Sequence, residues 1–415
     1  MAPRSTSLAL AALLVLHQLQ LAVGIRWMAL HRVSPGVWDA SGGVGGGGAV
    51  QNSFRGGGSG HWRRALKDDL GLSRRQQRFV REAPELLPLL SKAAQTALAA
   101  CQQAFEDRRW NCSSLTAAPH LSPDLTSGTR EQAFVYALTS ATVAHTVAKA
   151  CAMGTLAECP CAATPRMPPD GNFKWGGCGD NVAHGVLVSK KFLDVLERGR
   201  ARAADDDDEH LTLGIAAPAP AAPAGVNKRK SLLALVNLHN NRAGRRALEM
   251  SVTQQCKCHG VSGSCNIKTC WRALTKVQDV SLRLKRRYST ASEVALQRRG
   301  ITGRRHLQPA LLTVARLPAG GRVAPFGKED LLYAAKSPDY CNRDPKYGSF
   351  GTKARVCNSS EEARHQFDAC SSMCCGRGYV TRREEVLERC HCKYHWCCYV
   401  KCKTCRRTVF VSQCI

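Results

Sequence analysis

The chain has 415 residues, 22 of them cysteine, with only 6% aromatics and a formal net charge of +27. That charge seeks polyanions: nucleic acid inside a cell, heparan sulfate and anionic membrane surfaces outside it. The cysteines are even in number and crowd towards the C-terminus, which excludes one uniform core and predicts a helical domain followed by a smaller, cross-linked one.

The N-terminus sets the compartment. An apolar run at 8–16 follows Arg4, and Ala22-Val23-Gly24 supplies small residues where a signal peptidase reads them. Residues 1–24 therefore read as a secretory signal peptide, too short for a membrane span. In an exported chain the cysteines are disulfides rather than zinc ligands, and nucleic acid drops out as a partner. Sequons at Asn111-Cys112-Ser113 and Asn358-Ser359-Ser360 predict N-glycans on Asn111 and Asn358. Residues 25–67, with glycine runs at 45–48 and 56–58, read as a flexible arm.

A helical domain is expected over 68–297. Leu86, Leu87, Leu90, Ala94, Ala97, Leu98 and Cys101 recur at helical spacing within 84–105, with Pro88 tolerated in the first turn. Thr129-Arg130-Glu131-Gln132 reads as a capping box opening a helix with Phe134, Ala137, Leu138, Ala141, Ala144, Ala148 and Cys151 on its core face. Cys159, Cys161 and Cys178 follow, and Asp180 is a candidate N-cap for a helix over 181–196. Residues 198–226 hold four aspartates and an Ala/Pro-rich stretch, which reads as a mobile insertion; the acidic run lacks the ligand alternation of a calcium loop. Helix returns over 228–250. A basic linker over 298–329 leads to a C-terminal domain, 330–415, in which cross-links replace a core.

Two cysteine-rich stretches carry the functional candidates. Cys256, Cys258, Cys265 and Cys270 surround His259-Gly260-Val261-Ser262-Gly263-Ser264. Paired in nested fashion, they staple a hairpin whose flanking glycines leave the Ser262 hydroxyl uncovered. The residues after Ser262 are Gly263 and Ser264, so the Gly-x-Ser-x-Gly nucleophile elbow fails. The second stretch, 390–405, has the same architecture. Its tip carries Tyr394, Trp396, Cys397, Cys398, Tyr399 and Val400, large rigid groups suited to anchoring an interface.

The string Cys-His-Gly-Val-Ser-Gly-Ser-Cys at 258–265, together with Leu70-Gly71-Leu72-Ser73-Arg74-Arg75-Gln76, Arg108-Arg109-Trp110-Asn111-Cys112, Trp175-Gly176-Gly177-Cys178-Gly179-Asp180-Asn181, Asn237-Leu238-His239-Asn240-Asn241-Arg242 and the cysteine-dense tail, resembles the Wnt family of secreted signalling proteins. Residues 130–138 and 390–400 look closest to its Wnt-eleven subgroup. Many members carry a cysteine on either side of 70–76; here both are absent, as for a disulfide lost as a unit. The resemblance implies an α+β fold: an α-helical bundle domain with a disulfide-stapled hairpin, plus a small cysteine-rich domain of β-hairpins. It implies the pairs Cys101–Cys112, Cys341–Cys375, Cys357–Cys370, Cys374–Cys414, Cys390–Cys405, Cys392–Cys402 and Cys397–Cys398, among which spacing alone could not choose. Further implications are a monounsaturated fatty acyl ester on Ser262, added by a membrane-bound acyltransferase, and a secretion carrier for the lipidated chain. Outside the cell the implied partners are the Frizzled cysteine-rich domain, gripped by both tips, with co-receptors and heparan sulfate proteoglycans. The alternative reading is a lipid-free, heparin-binding matrix or growth-factor-like protein. Neither reading makes the chain an enzyme.

Overall fold

A computed structural model describes residues 24–33, 69–165, 173–201, 224–297, 311–314, 326–363 and 366–415. The expected signal peptide (1–23 of it), the glycine runs, most of the insertion at 198–226 and much of the basic linker lie outside these residues. The chain divides into two compact units: residues 24–104 with 112–337, and residues 105–111 with 338–415.

The first unit is built around one helix. Helices α1 (Arg74–Glu82), α2 (Leu86–Ala104) and α3 (Arg130–Ala152) come first in the chain. Ser73 caps α1 with a complete capping box, its Oγ accepting from Gln76 N while Gln76 Oε1 accepts from Ser73 N. The expected box at α3 forms only in half. Thr129 accepts from Gln132 N, but the Gln132 side chain accepts from Gly128 N one residue earlier.

The predicted single core face of α3 is also too modest, because nearly every residue of this helix is buried. Its many hydroxyls survive there by bonding back along the helix, Ser140 to the Ala137 carbonyl and Thr142 to the Leu138 carbonyl. Small residues let neighbours approach closely. Helix α4 (Val182–Ser189), which runs on through a π-helical turn, Lys190–Asp194, sets Gly185 against the Ala144 backbone. Helix α5 (Ala224–Glu249) sets Gly244 against the Ala137 carbonyl. A Cβ at either glycine would collide with α3 backbone.

The cap of α4 is Asn181, not the expected Asp180. Asp180 turns inward, accepting from Leu274 N at 2.6 Å and pairing with Lys149 Nζ at 2.7 Å. The Asn237-to-Arg242 motif lies on α5 and proves to be a set of interior braces. Asn240 exchanges two 2.9 Å bonds with the Leu332 backbone, and Asn241 donates to Asp194 at 3.1 Å. Arg245, on the same helix, holds Asp194 through two bonds of 3.0 and 2.8 Å, with both side chains 4% exposed.

The flexible arm does not start at residue 25. Residues Arg26–Arg32 form a 3-10 helix with Trp27, Met28, Ala29 and Leu30 fully buried. Trp27 meets Phe192 edge-on at 5.4 Å, and Ser91 Oγ donates to the Leu30 and Val33 carbonyls. Seven residues are too few to display a helical period beside glycine-rich text.

A three-stranded sheet closes this unit, with strand β1 (Phe173–Trp175) parallel to β3 (Lys268–Leu274) and β2 (Val252–Cys258) antiparallel to it. Helix α6 (Val277–Ser289) follows, then β4 (Ser292–Gln297), which pairs with β5 (Leu311–Val314) and with β6 (Leu332–Tyr333). Because β6 is buried here, the boundary falls after Ser337 rather than before residue 330.

The second unit has short paired strands β7 (Arg343–Asp344) and β8 (Ser349–Phe350), then β9 (Val356–Cys357), a single-turn helix α7 (Cys370–Met373), and a long hairpin of β10 (Tyr379–His395) and β11 (Tyr399–Cys414). Its core cluster is Cys357, Cys370, Met373, Cys374 and Cys414, so sulfur and one methionine stand where larger domains place Leu and Phe. Residues 105–111 join it through Arg355, which donates to the carbonyls of Glu106, Arg108 and Arg109, and through Arg109, which donates to Ser372 O at 3.0 and 2.8 Å.

Candidate functional sites: two stapled hairpin tips

In the first unit, β2 and β3 are in register with Cys256 opposite Cys270, and these two form a disulfide. Cys258 and Cys265 form a second one nearer the tip. His259 N donates to Ile267 O at 2.7 Å, and Gly260 N donates to Ser264 O at 2.8 Å, closing the loop beyond the last strand residue. A short 3-10 turn, Val261–Gly263, forms the end.

Glycine acts here differently from the expectation. Gly260 has an ordinary φ of −73° and is required for space, since a Cβ there would strike Ser264. The positive φ falls on Gly263 and on Ser262 itself, at 55°. That left-handed backbone is rare for a residue with a side chain. Ser262 is exposed, and among the described residues its hydroxyl has no hydrogen-bond partner. Val261 is 91% exposed and Ile267 64%, so the serine sits in an apolar, uncovered setting.

In the second unit, β10 and β11 pair over almost their whole length, with a register shift between Cys390 and Lys393. Seventeen residues of β10 reach about 55 Å. Nearly all of that length is exposed on both faces. At its base β9 pairs with β11 through Ser412 and Gln413, but beyond that the hairpin is a two-stranded ribbon, marginal in water, so the cross-links hold it: Cys374–Cys414 at the base, Cys390–Cys405 and Cys392–Cys402 near the end, and Cys397–Cys398 in the turn. Trp396 is 92% exposed, Tyr394 70%, Tyr399 59% and Val400 58%. His395 stacks on Tyr399 at 5.0 Å and stiffens the tip from one side. The aromatics are therefore not the small core of the tail.

The remaining disulfides are Cys101–Cys112, Cys151–Cys159, Cys161–Cys178, Cys341–Cys375 and Cys357–Cys370, and the chain has no free cysteine. Among the described residues the groupings with metal-like spacing are built on disulfide-bonded sulfurs: Cys151 and Cys159 with His184, Cys390 and Cys405 with His391, and Cys357, Cys374 and Cys414 with no histidine. Of the two sequons, Asn358 is exposed beside β9 and Asn111 is half-buried. Among the described residues no helix is long and apolar enough to cross a membrane.

A helical unit with one uncovered serine on a stapled hairpin, and a sulfur-cored unit with an aromatic tip, define a disulfide-rich protein that presents its candidate contact groups on two hairpin ends. The chain belongs to the Wnt family, whose profile matches residues 69–415. Its relatives include Protein Wnt-11b-2 of Xenopus tropicalis, 42% identical over 82% of this chain and 85% of the relative, and Protein Wnt-11 of Gallus gallus, 40% identical over 82% and 84%. These place it with the Wnt-11 subgroup, among secreted ligands of Wnt signalling in development. Among solved structures it resembles a chain in human WLS in complex with WNT8A, with a TM-score of 0.50 and 31% identity over 80% of this chain and 94% of that one.

Proposed function

We propose that the protein is a lipid-modified Wnt ligand that binds a Frizzled cysteine-rich domain through both tips, with Ser262 carrying a monounsaturated acyl ester. The observation that carries this reading is Ser262 itself, a non-glycine residue in left-handed backbone, uncovered at the end of a doubly stapled hairpin. Burying an acyl chain gains about 0.8 kcal/mol per methylene, so some ten methylenes would supply on the order of 8 kcal/mol of receptor binding. The rigid aromatics around Trp396 then choose among receptors, because large anchors lose little entropy on docking.

A chain with so exposed a lipid needs a membrane-bound acyltransferase to add it and a carrier to shield it. The likeness to a chain of the WLS–WNT8A complex supports a carrier of that kind. Outside the cell the +27 charge favours heparan sulfate proteoglycans and retention in the matrix. Co-receptors complete the assembly, and the role is that of a ligand, without catalysis.

Mass spectrometry of the non-reduced, secreted protein tests this. The peptide over 256–270 should carry the mass of an unsaturated acyl chain on Ser262 with both internal disulfides intact. An unmodified Ser262 in material that still signals would leave the lipid-free, heparin-binding reading.

A further inference from the structure

The buried segment at 24–33 lies beside a carboxylate that the fold leaves unaccounted for. Glu197, in the helical continuation of α4, is 0% exposed. Its Oε1 accepts from the Tyr136 hydroxyl at 3.2 Å and lies 3.8 Å from Arg200 Nη1, whereas among the described residues its buried Oε2 has no hydrogen-bond partner. The Asn237 side chain lies beside it and stabilises the charged form, although its Nδ2 does not reach the geometry of a full hydrogen bond. Burial pushes this carboxyl up from its ordinary range, with Arg200 and the Asn237 and Tyr136 side chains acting in opposition. A buried carboxylate with one oxygen left open has room for a further cation.

The group facing it is the backbone of Gly24. A methyl built on Gly24 would overlap Glu197 Oε1 and the Tyr136 hydroxyl, so the chain runs directly against this pair. Ala22-Val23-Gly24 is also where the sequence places signal-peptide cleavage. Hydrolysis of the Gly24–Ile25 bond consumes one water, releases the Gly24 carboxylate with the leader and leaves an α-amine on Ile25. That nitrogen lies about 2.4 Å from the Gly24 Cα. It is bound to a residue 1% exposed, at the head of a helix whose Trp27, Met28 and Leu30 are locked into the core.

We propose that leader removal creates an internal site: the Ile25 α-ammonium moves into the space Gly24 vacates and forms a buried ion pair with Glu197. An ammonium offers three donors, enough for Oε2 and for a shared contact with Oε1 and the Tyr136 oxygen. The uncleaved chain cannot make this pair, since its residue 25 nitrogen is a neutral amide. Processing thereby couples to completion of the core: the junction of Trp27, Phe192 and α4 tightens only in the mature protein. The reading stands on the interior of the first unit and is independent of any lipid or receptor.

The test uses the secreted, full-length protein. A brief pulse of an amine-acylating reagent under native conditions, followed by unfolding and peptide mass analysis, should find the N-terminus at Ile25 and its α-amine modified at least about tenfold more slowly than in the unfolded chain. A mature N-terminus elsewhere, or an Ile25 amine as reactive as in the unfolded chain, overturns the proposal. Glu197→Gln should then restore reactivity at Ile25 while lysines label as before. Protection unchanged in Glu197→Gln would mean that packing alone buries the amine, and would overturn the ion pair. The wild-type measurement can still overturn the proposal if that variant is retained in the cell.

Discussion

Ser262 holds a conformation that costs an L-residue about 1–2 kcal/mol, and the turn around it supplies the bonds that keep it there. Its side chain braces nothing, so Ser262→Ala should fold and cross-link normally; the expected result is wild-type secretion with receptor activation lost. Full signalling potency from that variant would remove the acyl chain from the mechanism. Asp194 is the opposite kind of residue. It is buried, bound twice by Arg245 and once by Asn241, and invisible from outside. Asp194→Ala leaves the Arg245 guanidinium buried without its partner, a loss of about 3–5 kcal/mol that should appear as a sharp drop in secreted yield and in the denaturant midpoint.

At the scale of elements, the long β10–β11 hairpin contrasts with the helices. Helix α3 is surrounded, so its disturbance is global; the hairpin is exposed along its length, so its distal end can open alone. A ten-residue span closed by Cys392–Cys402 is worth up to about 3 kcal/mol to the tip and little to the rest. Replacing both cysteines with alanine should make 391–402 the first site of limited proteolysis, with the thermal midpoint of the helical unit unmoved. A fall in that midpoint would show that the finger supports the remainder of the fold.

For the whole molecule, half-buried imidazoles give stability a pH dependence. Burial pushes His145 and His239 below the ordinary value near 6.5, while bonds to the Thr275 and Asp330 carbonyls act in the other direction. The unfolded chain then takes up these protons first. Stability from this source is complete above pH 6.5 and is lost as pH falls from there through the lowered folded-state values. Thermal unfolding between pH 7.5 and 5 should show a midpoint that declines on acidification, with a shallower decline in His145→Gln. The +27 charge predicts heparin binding that weakens steeply with salt. Elution near physiological ionic strength would count against retention at the producing cell.

Much of this protein could be read from its letters because some properties are local. The period of 84–105 and 129–151, the cysteine brackets at 256–270 and 390–405, and the glycine and serine at the tip each depend on residues within a few turns of one another. The family motifs, long and cysteine-anchored, extended that reading to the α+β fold. Other properties depend on residues far apart in the chain, and only the tertiary structure decided them. Residues 24–33 look like the edge of a flexible arm until Phe192 and Ser91 are seen to close over them. Asp180 reads as a cap because nothing nearby reveals Leu274 and Lys149 as its partners. Residues 105–111 belong with the tail because Arg355, some 250 positions later, binds their carbonyls. In each case a buried backbone or charged group had to be satisfied, and its partner was chosen by proximity in space, which spacing along a chain does not encode.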